Sequence, residues 1–422
     1  MIKILKLAVL LLFVSLGSLA YGQDIPAVTS PTPYQGAFSL PDIPGNLNFS
    51  ASLTEGIRTG YYGTGGPAYL TSVSGNAGYL SNSTRNPFRL TFSGGYSYVT
   101  TGKQSSPFVN LTLSQTLASR NWTLMLNNAF RYLPEAPTTG LSGLANLGDL
   151  GQPIPVTGGL DILTPYSQRV INTSSVDVDR KLTGSTDLTG TGSYSFQRFL
   201  DPSILGNDYN QVAGQFGVKH RLDALSSFTV SYDFTRFSYI NVNFSFISQG
   251  GSLQYTRQWT RRFNTDVSAG PQVHSSSNTA LGGSSLTFAS NLSATYLLER
   301  GSINATYVRG VQGGSGVTQG SSADTLRGDL THRLGEYSNI TFDATYARHH
   351  QLFVANSFAA NTISGGVQAS HTISPKFSVY ASYIAQHQSA RGSITNSGTF
   401  SGLNQTFSVG LTYSPRPIHL GH

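Results

Sequence analysis

From about Leu47 to Tyr413 the chain repeats one unit: an alternating apolar/polar segment, a very short connection, a second such segment, then a longer connection. The alternation is easily read in the second half. Phe228, Val230, Tyr232 and Phe234 interleave with Thr229, Ser231 and Asp233; Ile340, Phe342, Ala344 and Tyr346 interleave with Thr341, Asp343 and Thr345. The same phase returns in Phe263, Thr265, Val267 and Ala269, in Ile303, Ala305 and Tyr307, and in Phe377, Val379, Ala381 and Tyr383. A period of two with one polar face describes strands with apolar surroundings on one side and water on the other.

A soluble sandwich has the same alternation, and three features decide against it. Many segments run about 11 to 13 residues, enough for a tilted strand to cross a bilayer, against a soluble mode of ~5–6. Tight turns near 181–185, 223–226, 260–262, 299–301, 335–338 and 374–376 recur roughly every 35 to 41 residues, one hairpin plus one loop. The connections between them, near 275–285, 312–322, 350–360 and 388–399, are longer and vary freely. The reading is an all-β, antiparallel transmembrane β-barrel of 16–18 strands. Strands near 47–59, 68–80, 88–99, 108–118 and 122–132, with thirteen more after the longest loop, give eighteen; the first two are the weakest, and without them sixteen remain. An even number puts both termini on one side, the periplasmic side where barrels keep their tight turns. A β-solenoid would need short stacked repeats with similar turns rather than unequal alternate connections.

Residues 1–22 read as a cleaved signal peptide: Lys3 and Lys6, an apolar run from Leu7 to Leu16, and small residues at Ala20 and Gly22. The run is short for a span of ~20 residues. Residues 23–46 hold Pro26, Pro31, Pro33, Pro41 and Pro44 and read as a periplasmic leader. Residues 47–413 form the barrel. Residues 414–422 read as a periplasmic tail in which Pro415 and Pro417 forbid further strand pairing, so that Tyr413 ends the last strand. Only 11% of the chain is charged, low against the usual ~25%. There is no cysteine, which removes disulfides and thiolate chemistry. The net charge of +7 comes from scattered residues, not a basic patch, so nucleic acid is not an expected partner.

The last strand, with Phe407, Val409, Gly410, Leu411 and Tyr413, resembles the terminal signal that delivers bacterial barrels to their assembly machinery. As a whole the chain resembles bacterial outer-membrane β-barrels, porin-like in pattern. The repeating hairpins are also similar to uncharacterised barrels associated with exopolysaccharide-export and exosortase systems. That resemblance implies the outer membrane of a Gram-negative-type bacterium and a role in polymer export or envelope assembly.

Three candidate sites follow. The longest loop, 133–168, carries Leu141, Leu144, Leu147 and Leu150 with little charge. Water-facing loops seldom hold so much apolar surface, so it reads either as a pore constriction folded into the barrel mouth or as an external lid. Four ascending strands end in an aromatic-x-arginine pair: Phe196/Arg198, Phe234/Arg236, Tyr307/Arg309 and Tyr346/Arg348. In strand phase each arginine follows the apolar face, at the outer headgroup level where aromatics form a girdle. A guanidinium there can grip lipopolysaccharide phosphate or simply end the apolar band. The lumen-facing phase is mostly Ser, Thr, Asn, Gln and Gly, with Arg89, Arg131, Asp177, Asp179, Lys219, Arg221, Asp233, Asp266, Arg327, Asp329, Arg333 and Asp343. It suits small polar solutes such as saccharides, and no stacked lumenal aromatics are evident.

The leading expectation is a porin-like or export-associated channel for polar solutes or polysaccharide. A non-conducting structural or adhesive barrel presenting its loops is the alternative. A rim hydrolase is the third reading, since His274, His349, His350 and His387 fall near outer strand ends with Asp324 and Asp343 on nearby strands; no spacing fixes a nucleophile, base and orienter. No cofactor and no metal is expected.

Overall fold

The structure is a computed structural model that describes residues 44–60, 67–100, 104–133, 168–200, 208–240, 242–277, 283–313, 318–353, 358–391 and 401–420. The expected signal peptide, nearly all of the leader, and the loop carrying Leu141, Leu144, Leu147 and Leu150 lie outside these residues.

Eighteen long strands follow one another: β1 Asn46–Thr59, β2 Ala68–Leu80, β3 Phe88–Val99, β4 Gln104–Ala118, β5 Trp122–Leu133, β6 Arg169–Lys181, β7 Thr186–Phe199, β8 Tyr209–Arg221 and β9 Ser226–Tyr239. The series continues with β10 Phe244–Thr260, β11 Phe263–Ser276, β12 Ser284–Leu298, β13 Gly301–Gln312, β14 Ser321–Arg333, β15 Ser338–Gln351, β16 Ala359–Ser374, β17 Phe377–Arg391 and β18 Gly402–Tyr413. Each pairs antiparallel with its sequence neighbours, and β1 pairs with β18 from Ala51↔Tyr413 to Thr59↔Gln405. The sheet is a closed barrel, which leaves its long strands no free edge. Among the described residues there is no helix.

Two expectations change. The strands run further than the turn spacing implied, β10 reaching 17 residues, so the connections do not alternate strictly. Those at 100–103 and 240–243 are short although they lie on the long-loop end, and that at 81–87 is longer than the other tight turns. The prolines also do not end pairing. Beyond them β19, Ile418–His419, pairs with Asn46 and Leu47 of β1. Proline removes a donor at its own position but leaves later amides free.

The exterior is apolar and exposed all round: Leu53 (49% exposed), Phe216 (57%) and Leu286 (71%) sit on widely separated strands. Soluble monomers rarely expose apolar patches beyond a few hundred Å², so this surface is built for hydrocarbon. Aromatic residues mark one of its limits. At the tight-turn end Tyr79 meets Phe88, Phe263 meets Tyr296, and Phe377 meets Tyr413. Arg180 lies 4.8 Å over the Trp122 ring and Arg257 4.5 Å over Trp259. Near the middle of their strands, tyrosine hydroxyls reach polar side chains one strand away: Tyr232 donates to Gln249 and Tyr383 to Gln405. The aromatics at the tight-turn end form the interfacial belt expected at that edge of a transmembrane barrel.

The inner wall is polar and close-knit. Side chains such as Thr54, Ser97, Ser195, Thr362 and Ser408 are buried there, bonded across strands as in Ser97–Ser72 and Ser382–Ser408. Inward rings lie over glycines of the next strand. The Phe108 ring covers Gly95, and Tyr380 lies over Gly410 to reach the Thr54 hydroxyl on β1. Pro271 cannot donate to β10, and the paired register of β10 and β11 lapses between Gly250↔Gln272 and Leu253↔Ala269. A Cβ on Gly270 would fall 1.8 Å from the Gly251 carbonyl oxygen, so the approach depends on glycine.

Candidate functional site

The inward phase of β9 ends in Phe237 and Tyr239, and that of β10 begins with Phe244 and Phe246. The short 240–243 connection therefore presents four aromatic rings to the lumen at the long-loop end. Tyr209, at the start of β8, joins them 5.8 Å from both Phe237 and Tyr239. The rings of Phe237 and Phe246 stack at 4.6 Å with 17° between planes. Phe353, just beyond β15, completes the cluster 5.2 Å from Phe246 and edge-on to Phe244 at 5.8 Å.

This cluster bridges the mouth. Four strands, β11 to β14, separate β10 from β15 along the wall, so the contact of Phe353 with Phe244 and Phe246 crosses a chord of the opening. The connection after β13 is drawn in with it. The Tyr239 hydroxyl donates to the Gly313 carbonyl at 2.7 Å, and Leu352 N–H donates to the Gly320 carbonyl at 3.3 Å. Gly320 holds a φ of +87°, and a Cβ there would lie 2.8 Å from the Phe246 ring. Each aromatic pair adds about 0.5–1.5 kcal/mol beyond area burial. The absence of lumenal aromatics expected from the sequence is thus corrected: inward rings stack at the mouth.

Below the bridge the inner wall carries carboxylates held by neutral donors. Asp233 accepts from Gln215 (2.6 Å) and Ser252 (2.8 Å); Asp266 accepts from both Gln254 and Thr256. Asp177 accepts from Thr191 and Asn127. Nearer the tight turns, Asp187 instead pairs with Arg221 at 2.8 Å. An inner wall built in this way offers hydrogen bonds without a single dominant charge.

On the exterior, the register sets Arg309, Asp324 and Arg348 side by side across β13, β14 and β15. Arg309 Nε lies 3.7 Å from Asp324 Oδ1, and the Tyr307 hydroxyl donates to the same oxygen at 2.9 Å. Two of the four expected arginines are therefore brought together. Arg236 stands apart on β9, exposed between Val212 and Ile247. Arg198 on β7 is spent on the protein: it donates to the Gln197 and Tyr209 carbonyls and to Asn210, and lies over Phe196.

The histidines do not form one centre. His274 and His349 are buried on the inner wall, His274 Nε2 lying 2.5 Å from Thr287 Oγ1. His350 and His387 follow the outward phase with Asp324, whereas Asp343 faces the lumen. Among the described residues no group of three His, Cys, Asp or Glu side chains is arranged to hold a metal.

The fold defines a closed 18-strand antiparallel β-barrel with an apolar outside and a polar inside. No family model matches the chain, and no curated protein matches it. Several solved structures are similar to it in fold. They include OccK2 (OpdF) of Pseudomonas aeruginosa in complex with glucuronate, 11% identical, TM-score 0.43, with 88% of this chain and 98% of that one covered. OpdK of the same organism with vanillate is 8% identical, TM-score 0.42, with 88% and 98% covered. The ferric-catecholate import receptor Fiu of E. coli K12 is 10% identical, TM-score 0.41, with 87% and 81% covered.

Proposed function

We propose that the protein is a porin-like channel of a Gram-negative outer membrane that passes small polar solutes or saccharide polymer. The observation that carries this reading is the inner wall, where hydroxyls, amides and amide-held carboxylates line the barrel beneath the aromatic bridge. The tight turns face the periplasm, in keeping with the usual asymmetry of such barrels; a cleaved signal peptide exports the chain, and its last strand delivers it to the assembly machinery. On the outer rim, Arg309 and Arg348 flank Asp324 and present a net positive pair to lipopolysaccharide phosphate.

A second reading, a non-conducting barrel that presents its loops, is supported by the same bridge, since Phe353 and the β13–β14 connection are fastened across the opening. Refolding the mature chain into planar bilayers separates the two. Stepwise single-channel current supports the channel. Silence from a folded, heat-modifiable barrel would leave the structural reading.

A further inference from the structure

On the inner wall of β14 and β15, Arg327 stands opposite Thr345, Asp329 opposite Asp343, and Thr331 opposite Thr341. Asp329 accepts from Asn304 Nδ2 at 2.7 Å and lies 3.9 Å from Arg327 Nε. Asp343 is only 8% exposed, yet its Oδ1 has no hydrogen-bond partner in the protein. The same holds for Arg327 Nε, Thr331 Oγ1 and Thr345 Oγ1. Elsewhere among the described residues such atoms include neutral cross-strand pairs, such as Gln386 with Asn404 and Ser93 with Asn110.

The gathering is costly and specific. A buried polar atom left unpaired costs about 1–3 kcal/mol, and like charges directly opposite on paired strands destabilise further. Asp177, Asp233 and Asp266 show that this barrel satisfies inward carboxylates elsewhere with two side-chain donors each. Buried exceptions to pairing call for an explanation, and a bound group is one.

We infer that Arg327, Thr331, Asp343 and Thr345 form a subsite for the hydroxyls of a neutral saccharide or polyol. The unpaired set decides the ligand class. It contains one obligate donor (Arg327 Nε, whose ion-pair partner is Asp329 at 3.9 Å), one carboxylate acceptor (Asp343 Oδ1 in its ionised form) and two hydroxyls able to do either. A cation would satisfy Asp343 but be repelled by Arg327 and leave Nε unpaired. An anion would meet two carboxylates. A sugar hydroxyl donates to Asp343 while a neighbouring one accepts from Arg327, so both ends are met at once. The Arg327 side chain is 21% exposed and that of Asp329 11%, so the wall reaches the lumen beside the four atoms, which are themselves buried. This inference rests on the channel reading and names where the solute is gripped.

The test is equilibrium binding to the folded full-length barrel in detergent, with maltohexaose, isomaltohexaose and sorbitol as probes beside calcium chloride and inorganic phosphate. Saturable binding of at least one neutral probe is expected. It should weaken about tenfold or more in Arg327→Gln and in Asp343→Asn, a loss of ~1.4 kcal/mol, and hold in Asp223→Asn, on the β8–β9 turn away from the wall. Heat-modifiability confirms that each variant is folded, and the near-isosteric Asp343→Asn guards against a merely collapsed site. Binding of calcium or phosphate instead, lost in the same variants, overturns the ligand class. No neutral binding to the folded wild type, or binding indifferent to both variants, overturns the subsite. Conductance of the same preparation keeps the two readings apart: current without sugar binding sinks the subsite alone, and sugar binding without current sinks the channel alone.

Discussion

Phe237 at the end of β9 and Phe246 near the start of β10 stack face to face at 4.6 Å inside the barrel, and Phe353 closes on Phe246 from the far side of four strands. The closest ring pair among the described residues is thus at the mouth.

Replacing Phe246 by alanine removes the ring shared by Phe237, Phe244 and Phe353. Unfolding in urea should show a loss of about 3–5 kcal/mol, and single-channel conductance should rise. A conductance equal to wild type would mean the bridge does not limit flow. Deleting residues 136–165 in the same assay reports the share of the longest loop.

Tyr239→Phe keeps the ring and removes the hydroxyl that holds the Gly313 carbonyl. Stability should fall by only about 1 kcal/mol. Open-channel noise should increase as the β13–β14 connection loses its tether; an unchanged noise spectrum would show that the ring packing alone holds it.

At the rim, Arg309→Ala with Arg348→Ala should reduce lipopolysaccharide retained by the purified barrel, measured by native mass spectrometry. Arg198→Ala should leave retention near wild type, because that guanidinium is already bonded to Gln197, Tyr209 and Asn210. Asp324→Ala should increase retention and make it more sensitive to salt, since two cations would then lack their shared partner. Equal retention in all four proteins would remove the rim from lipid recognition.

The β8–β9 turn is fastened by Asp223, which accepts from Ser226 Oγ (2.7 Å) and Leu225 N–H (2.6 Å). The Ser226 bond, followed by the backbone bonds, holds its carboxyl below the ordinary value of 3.8. A depressed folded value makes the stabilisation fully present above ~pH 4 and lost as pH falls through the folded pKa. Asp223→Ala should therefore be slightly less stable than wild type at pH 6, with the gap closing in acid. A gap that persisted at pH 2 would show that the carboxylate charge is not its source.

Gly270→Ala asks for a methyl where the Gly251 carbonyl oxygen lies 1.8 Å away. It should destabilise the barrel by several kcal/mol or block refolding, whereas Gly184→Ala, with nothing near its Cβ, should not. Comparable urea midpoints for the two would mean that β10 and β11 can part without cost.

The strands were legible because a transmembrane wall enforces period two over long runs, and no soluble core dilutes it. Strand β15 reads outward through Phe342, Ala344, Tyr346 and Arg348 and inward through Thr341, Asp343 and Thr345, as its exposure confirms. The aromatic bridge was hidden by that same rule. Phe237 and Tyr239 occupy the polar phase after Thr235, and aromatics at a strand end next to Val242 read as the start of a loop. The available signal was their recurrence in the inward phase on both sides of a short connection, at Phe244 and Phe246. The β14–β15 subsite was not legible, because Asp233, Asp266 and Asp343 look alike in sequence. Only the register shows that Asp343 faces another carboxylate while the others face amides and hydroxyls.

The seam between β1 and β18 bonds residues 360 positions apart, as Ser52 and Thr412 do. β19 adds two more pairs, and Tyr380 reaches across β18 to Thr54. Every other strand pair joins sequence neighbours and can form as the chain emerges. This one carries the largest closure entropy of any strand pair in the barrel. Whatever the order of assembly, until β1 and β18 meet the sheet keeps two open edges, and the edges of long strands are where misassembly begins.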